Sequence, residues 1–509
     1  MSEFLGISRG IVEDFLQTAV FLDDKAKFPD ESGTNGILFS SITEMENPIT
    51  GEISSVQRPI VSVQSEHDLN AKTIIDTFMQ KGIICSVIKC EPETYESKKE
   101  SYIRLLKKAD IVVLDWDLFG DGGEKIIEII KDLIQVDEQL HELRSIVIYT
   151  ANDLGTIQTR LEGEELSFDN YVSHNKLYTT ISLWNKKSNS LGGERQADFV
   201  EVVDKCIYEF TETFHGIVPN VAMAAIAEVR KNTHKLLGVL NKDLDPAYLS
   251  HRSLLETPED AERHIEEIII GEIESMIRGT EIGKFAKIDN IKKAKIIQNK
   301  KYQTVDFLKC LEHGTEKKII TGNRKTEKAN KLTEDVKKCF THEWFGEEEK
   351  ARESEKNFAV LTSIVTEYGS NPYLTLGAII EKSSEKFLCL QPRCDSIGLK
   401  KKTNFIFLKL IPDEEKFDIL LRDGSKYKIK YSLKDRQNFL FNPDVEGKKV
   451  LFSNLKNMQD DVEFIYIASL KRLHAQRIAN EFSAYISRIG LNESEYIRRN
   501  SPRTLAGKI

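Results

Sequence analysis

Asp23 and Asp24 close the apolar run AVFLDD, Asp115 closes IVVLD, Thr150 closes IVIYT, and Lys186 stands at the end of SLWNK. Carboxylates brought to one place repel each other, which raises a pKa unless a cation compensates. Magnesium is the natural cation, a hard ion that takes one or two carboxylates, keeps waters and bridges phosphoryl oxygens. Asp115 would then be a carboxylate nucleophile able to attack phosphorus and form an aspartyl phosphate. Phosphoryl transfer asks mainly for alignment and charge neutralisation. The magnesium ion, the Lys186 ammonium and the Thr150 hydroxyl could each hold one phosphoryl oxygen.

These residues have to be carried to a common edge, and the first third of the chain has the pattern to do so. AKTIIDTFMQKGIICSVIKC (71–90) reads as a helix, a glycine stop at Gly82 and a strand. ESYIRLLKKADIVVLD (100–115) repeats the unit, and GEKIIEIIKDLI (123–134) is helical, with Ile126, Ile127, Ile130 and Ile134 on one stripe. LRSIVIYTA (143–151) and TTISLWNKK (179–187) are two more strands. Apolar strands alternating with amphipathic helices predict a parallel sheet covered on both faces. In such sheets ligands sit outside the carboxyl ends of the strands, and that is where Asp23, Asp24, Asp115, Thr150 and Lys186 fall. An isolated acidic pair is more often a solvated helix entry, and Thr150 could cap the helix that starts near NDLGTIQTRL. Neither reading explains the order of residue types at successive strand ends.

The constellation resembles the receiver domain of two-component response regulators. The resemblance implies a flavodoxin-like α/β fold with a five-stranded parallel sheet, a Mg²⁺ cofactor and a sensor histidine kinase as partner. It makes Asp23 and Asp24 the acidic pair after the first strand and Asp115 the phosphoacceptor. Asp117 matches the residue whose backbone carbonyl is the third protein ligand to the metal. Asp121–Gly122 matches the turn that follows, and Thr150–Ala151 the hydroxyl switch residue with its small neighbour. Three features depart from the family. About forty residues, from about 25 to 68, separate the acidic pair from the first helix and are expected to form an insertion over the phosphorylation edge. The lysine has two candidates: Lys186 ends the better strand, whereas Lys176 lies nearer the family's spacing but follows a turn-like SHN. Lys186 is favoured because a strand must carry the ammonium to the edge. Neither lysine precedes a proline or has an aromatic three places before it; Trp184 and Tyr171 are the nearby substitutes.

At 509 residues the chain is too long for one core. With 40% hydrophobic and 30% charged residues it has a globular composition, and its formal charge of −9 argues against a chain devoted throughout to nucleic acid. No apolar run is long enough to span a bilayer, so no membrane is expected. The N-terminus, MSEFLGISRGIVEDFLQ, is acidic and amphipathic, unlike a signal peptide. The seven scattered cysteines point to a reducing cytoplasm. The expected organisation is a receiver over 1–210, a helical, charged middle over 211–360, and a β-rich domain with a terminal helix over 361–509. In the middle, TPEDAERHIEEIIIGEIESMI is expected to start with Thr257 as N-cap and Pro258 at the first helical position, with Asp260 completing a capping box. Its stripe of Ile265, Ile268, Ile269, Ile273, Met276 and Ile277 must pack on other helices or on a second subunit, as in a homodimer. The lysine-rich stretch 284–360 mixes charges as a solvated helical surface does, which disfavours nucleic acid. CLQPRCDS has the wrong spacing for a zinc site and reads as a turn.

No enzyme signature follows the receiver. The order of an inserted receiver, a helical middle and a β-rich end carrying LQPRCDS and AQRIANEF resembles receiver-bearing proteins encoded with histidine kinases in bacterial antiphage systems. Among these it resembles the stand-alone receiver component of the Detocs system. That resemblance implies a non-enzymatic phosphate buffer that absorbs spurious kinase signalling. The alternative is a response regulator whose C-terminal region is a phosphorylation-controlled output binding nucleic acid or protein.

Overall fold

The three-dimensional structure is a computed structural model. It describes residues 3–28, 42–46, 53–57, 70–140, 143–169, 172–175, 179–187, 195–294, 311–312, 348–366, 373–432, 434–445, 448–460 and 462–487. By packing, the chain divides into two compact units, Met1–Lys235 with Ile273–Gln303 and Leu236–Glu272 with Thr304–Ile509.

The first unit opens with α1 (Glu3–Phe15), β1 (Thr18–Asp23), and the strands β2 (Ile42–Glu46) and β3 (Ile53–Gln57). It continues through α2 (Ala71–Gln80), β4 (Ile84–Lys89), α3 (Tyr95–Leu106), β5 (Ile111–Leu114) and α4 (Glu124–Leu140). Then come β6 (Arg144–Thr150), α5 (Leu154–Glu162), β7 (Val172–Asn175), β8 (Thr179–Lys186), β9 (Gln196–Ala197), α6 (Glu201–Phe214) and α7 (Ile217–Val239). Strands β4, β1, β5, β6 and β8 lie side by side in that order, all parallel. The sheet has seven strands rather than five, because β7 pairs antiparallel with β8 and the short β9 pairs parallel with it. The segment read as a turn at SHN is therefore strand, its backbone paired with β8.

Alternation along β1 shows why the sheet is buried on both faces. Ala19 and Phe21 join Ile11, Phe15, Ile74, Phe78 and Phe210 in one core. Val20 and Leu22 join Leu106, Ile126, Ile130, Leu133 and Leu161 in the other. Local signals set the helix ends. Asn70 caps α2 by accepting from the Thr73 N–H, and Gly82, at φ +75, turns the chain toward β4. Asp153, not Thr150, caps α5 by accepting from the Thr156 N–H at 2.8 Å. In the segment between β1 and α2 the Ala71 N–H donates to the Lys27 carbonyl at 3.2 Å, and β2 and β3 form an antiparallel hairpin. Its remaining residues lie outside those described.

Further along are α8 (Asp245–Leu254), α9 (Asp260–Gly279), α10 (Ile288–Lys293) and α11 (Glu348–Ser363). Helix α9 begins later than expected, at Asp260: the Thr257 backbone carbonyl accepts from the Asp260 N–H at 3.0 Å, and the Thr257 methyl lies against Gly398. Ile265, Ile268 and Ile269 of the apolar stripe are exposed. Most of the lysine-rich stretch lies outside the described residues. The second unit then forms β10 (Ala378–Lys382), β11 (Glu385–Cys389), β12 (Thr403–Pro412), β13 (Ile419–Leu420), β14 (Lys426–Ile429), β15 (Arg436–Phe441), β16 (Ile465–Ser469) and α12 (Arg472–Ile486). These strands make one antiparallel sheet of seven, in the order β13-β14-β12-β11-β10-β16 with β15 beside β12. One face carries an aromatic core around Phe387, Phe405, Phe407, Phe439 and Phe441, and the other packs Leu408 and Leu410 with Ile478 and Phe482 of α12. No helix among the described residues is long and apolar enough to cross a membrane.

Candidate functional site

Register alone lines up the residues singled out above. Leu22 of β1 pairs with Leu114 of β5, so Asp23 and Asp115 are the next residues on neighbouring strands. Thr150 is the last residue of β6 and pairs with Asn185, the residue before Lys186. The Asp115 N–H donates to the Leu22 carbonyl at 3.0 Å, which continues the ladder one step and holds the aspartate at the sheet edge.

Asp23, Asp24 and Asp115 each offer a carboxylate oxygen within 4.8 Å of the others, the one such cluster of metal-ligating groups among the described residues. Lys186 reaches into it. Its Nζ donates to Asp23 Oδ2 at 3.0 Å and to Asp115 Oδ2 at 3.1 Å, with all three side chains buried. Burial pushes the Asp115 carboxyl above its usual range; Asp23 and Asp24 add to this and Lys186 opposes it. Burial pulls Lys186 down, but Asp115 and Asp23 together outweigh it and hold the ammonium above its ordinary value. Three carboxylates and one ammonium leave two negative charges unmatched.

The remaining carboxylate oxygens are partly assigned. Asp23 Oδ1 accepts from the Lys25 N–H at 2.7 Å, and Asp24 Oδ2 from the Phe119 N–H at 3.0 Å. Asp24 Oδ1 is buried without a hydrogen-bond partner. A buried, unpartnered carboxylate oxygen beside two more carboxylates is what a small divalent cation would satisfy, and hard oxygen donors suit Mg²⁺. The residues fit the ion on charge and on donor type.

The loop after Asp115 is shaped by backbone requirements. Phe119, at φ +63, is left-handed, and that conformation accompanies its N–H bond to Asp24. Trp116 packs its ring where Gly123 has no side chain: a Cβ there would lie 2.3 Å from ring atoms. The Asp117 carboxylate accepts from the Gly122 N–H at 2.8 Å, so its side chain serves the turn and not the carboxylate cluster. Asp121 accepts from the N–H groups of Gly123 and Lys125, both at 2.9 Å, and anchors the start of α4. Thr150 is fully buried and its hydroxyl accepts from the Asn152 N–H at 3.2 Å.

Asn185 was not singled out from the sequence. Its Nδ2 donates to the carbonyls of Thr150 at 3.1 Å and Asn152 at 2.7 Å, tying the strand that carries Lys186 to the loop that carries Thr150. An asparagine before a lysine gives no sequence signal of that role. Lys176 lies outside the described residues; Asn175, which precedes it, pairs with Thr179 at the opposite end of β8 from Lys186.

A parallel α/β sheet in the order β4-β1-β5-β6-β8, with an acidic cluster and a lysine at its carboxyl edge, defines a receiver-like module. Residues 15–190 match the family model for the response receiver domain, so the chain carries a receiver domain, the phosphoaccepting module of response regulators that takes its phosphate from histidine kinases. No curated protein and no solved structure matches the chain.

Proposed function

We propose that Asp115 accepts a phosphoryl group from a partner sensor histidine kinase and that the protein serves as a phosphate sink in an antiphage two-component system. The observation that carries the first part is the cluster of buried Asp23 and Asp115 with half-buried Asp24, and Lys186 at hydrogen-bond distance from two of them. Asp23, Asp24, Asp115 and the backbone carbonyl of Asp117 would hold Mg²⁺. When bound, the ion supplies charge neutralisation between the acceptor carboxylate and the phosphoryl oxygens. A carboxylate oxygen of Asp115 attacks phosphorus; the new P–O bond forms as the donor's N–P bond breaks, and the histidine nitrogen leaves with the electron pair and takes up a proton. Lys186 exchanges a carboxylate partner for a phosphoryl oxygen, and the Thr150 hydroxyl donates to another. Burial excludes water from the acyl phosphate.

The sink reading rests on this acceptor together with the resemblance of the C-terminal segments to stand-alone receiver proteins. In it the output is the phosphate removed, and no catalytic turnover is assigned to the chain. Co-expression tests it. Cells carrying kinase, effector and the Asp115→Ala protein should arrest without phage, whereas the protein alone should be harmless. Normal growth of those cells would reject the sink and favour a phosphorylation-controlled output.

A further inference from the structure

Two segments that the receiver chemistry leaves without a role, LQPRCDS (390–396) and AQRIANEF (475–482), meet in the second unit. With α9 they line a cavity of about 420 Å³. The first segment is a turn wound by its own side chains. Gln391 Nε2 donates to the Asp395 carbonyl at 3.3 Å, and the buried Ser396 hydroxyl donates to the Pro392 carbonyl at 2.9 Å. That winding sets Arg393 at the cavity wall, with Pro392 and Leu390 beside it.

The second segment lies on α12. Ala475, Gln476, Ala479, Asn480 and Ser483 recur at helical spacing along the cavity, while Ile478 and Phe482 are buried in the core behind. The helix sits close to β10 because Gly377, at φ +92, has no side chain; a Cβ there would stand 2.8 Å from the Ala475 Cβ. A third wall comes from α9, through Arg263 and Glu267. Close approach sets this wall too, since a Cβ on Gly398 would meet Thr257 at 2.4 Å.

The lining offers two kinds of polar group. Three arginines, Arg263, Arg393 and Arg472, line it with one carboxylate, Glu267, which pairs with Arg472 and lies 3.7 Å from Arg393. The acid nearest Arg263 is Asp260, at 3.7 Å. Each guanidinium carries five N–H donors, more than these carboxylate oxygens can occupy. Gln476 Nε2 donates to Asn480 Oδ1 at 3.0 Å, which leaves the Gln476 oxygen and the Asn480 NH₂ group for a ligand, and Leu376 and Leu390 add apolar lining. A bare phosphate ion would satisfy the arginines and leave most of the volume unused, and the volume falls within the range of about 300–1,000 Å³ typical of small organic ligands.

We infer that this cavity binds a nucleotide, its phosphates on Arg393 and Arg472 and its base on the apolar lining, read by Gln476 and Asn480. The site is separate from the phosphoacceptor and does not rest on it.

Calorimetric titration of the full chain with AMP, ADP, ATP and GTP, with inorganic phosphate as control, tests the inference. At least one nucleotide should bind one to one and more tightly than phosphate. Replacing Arg393 and Arg472 together by alanine should weaken it by at least about tenfold to a hundredfold, the scale of a single lost charge-assisted contact, in protein whose melting shows it folded. Asn480→Leu should weaken nucleotide more than phosphate, and Asp115→Asn should bind as the unaltered chain does. Absence of heat with all four nucleotides, phosphate binding as tightly as they do, or undiminished binding by the folded double variant would each overturn it.

Discussion

At the N-terminal end of the central sheet, the buried Arg144 guanidinium donates to both oxygens of Asp137 at 3.0–3.1 Å and to the carbonyls of Leu106, Lys107 and Ala109. Asp137 accepts a further bond from Thr179 at 2.7 Å. At the C-terminal end three carboxylates share one ammonium, and an oxygen of Asp24 is buried without a partner. The two clusters sit at opposite ends of the sheet and share strand β8, which starts with Thr179 and ends with Lys186. One is complete within the chain, matching charge with charge and donor with acceptor. The other has two negative charges too many. A buried group left unsatisfied is expensive, so the second end makes physical sense as a site completed from outside, and the first as a rivet.

Removing one member from each end should expose the difference. Arg144→Leu strands the Asp137 carboxylate in the interior and should lower stability by about 3–5 kcal/mol, measured by urea unfolding. Magnesium should not restore it, whereas leucine at both positions should recover most of the loss. If Arg144→Leu melts like the unaltered chain, the rivet reading is wrong.

The acidic end should respond to metal instead. Magnesium at about a hundredfold excess over its Kd should raise the stability of the unaltered protein by about 2.7 kcal/mol. Asp24→Asn should abolish most of that rise. Lys186→Ala should keep it, because the carboxylates remain, yet should slow phosphorylation. Should Lys176→Ala slow phosphorylation while Lys186→Ala is silent, the assignment of the lysine fails.

The loop that shapes the acidic end should tolerate little. Gly123→Ala places a Cβ against the Trp116 ring at a φ of +96, so a loss of about 1–3 kcal/mol is expected. The smallest effect, and the one of opposite sign, is that of Asp115→Asn in metal-free buffer. It removes a buried charge from a repelling trio and should raise the unfolding midpoint slightly. A clear destabilisation would mean that Asp115 belongs to a structural network like that of Arg144.

The acidic end could be read in the sequence because parallel strands joined by helices deliver all their carboxyl ends to one edge. Asp23, Asp115, Thr150 and Lys186 each close an apolar run, and register does the rest. The rivet could not be read this way. Arg144 opens a strand and Asp137 lies within a helix of mixed charge, and nothing in their spacing shows that they meet. Backbone-driven features were equally silent, among them the left-handed Phe119 and the N–H bond it makes to Asp24. The edge strand β7 was misread because SHN has turn composition, although its backbone pairs with β8. The convergence of residues 390–396 with 475–482 is set by the antiparallel sheet between them, a pairing that no local pattern encodes.

The most direct test of the central claim is covalent. Full-length protein incubated with acetyl phosphate and magnesium should gain one phosphoryl group by intact mass. The adduct should be lost to hydroxylamine, as an acyl phosphate is, should map to the peptide containing Asp115, and should be absent without magnesium and in Asp115→Asn. A phosphoryl group that persists in Asp115→Asn, or that maps to another residue in the unaltered chain, would contradict the account.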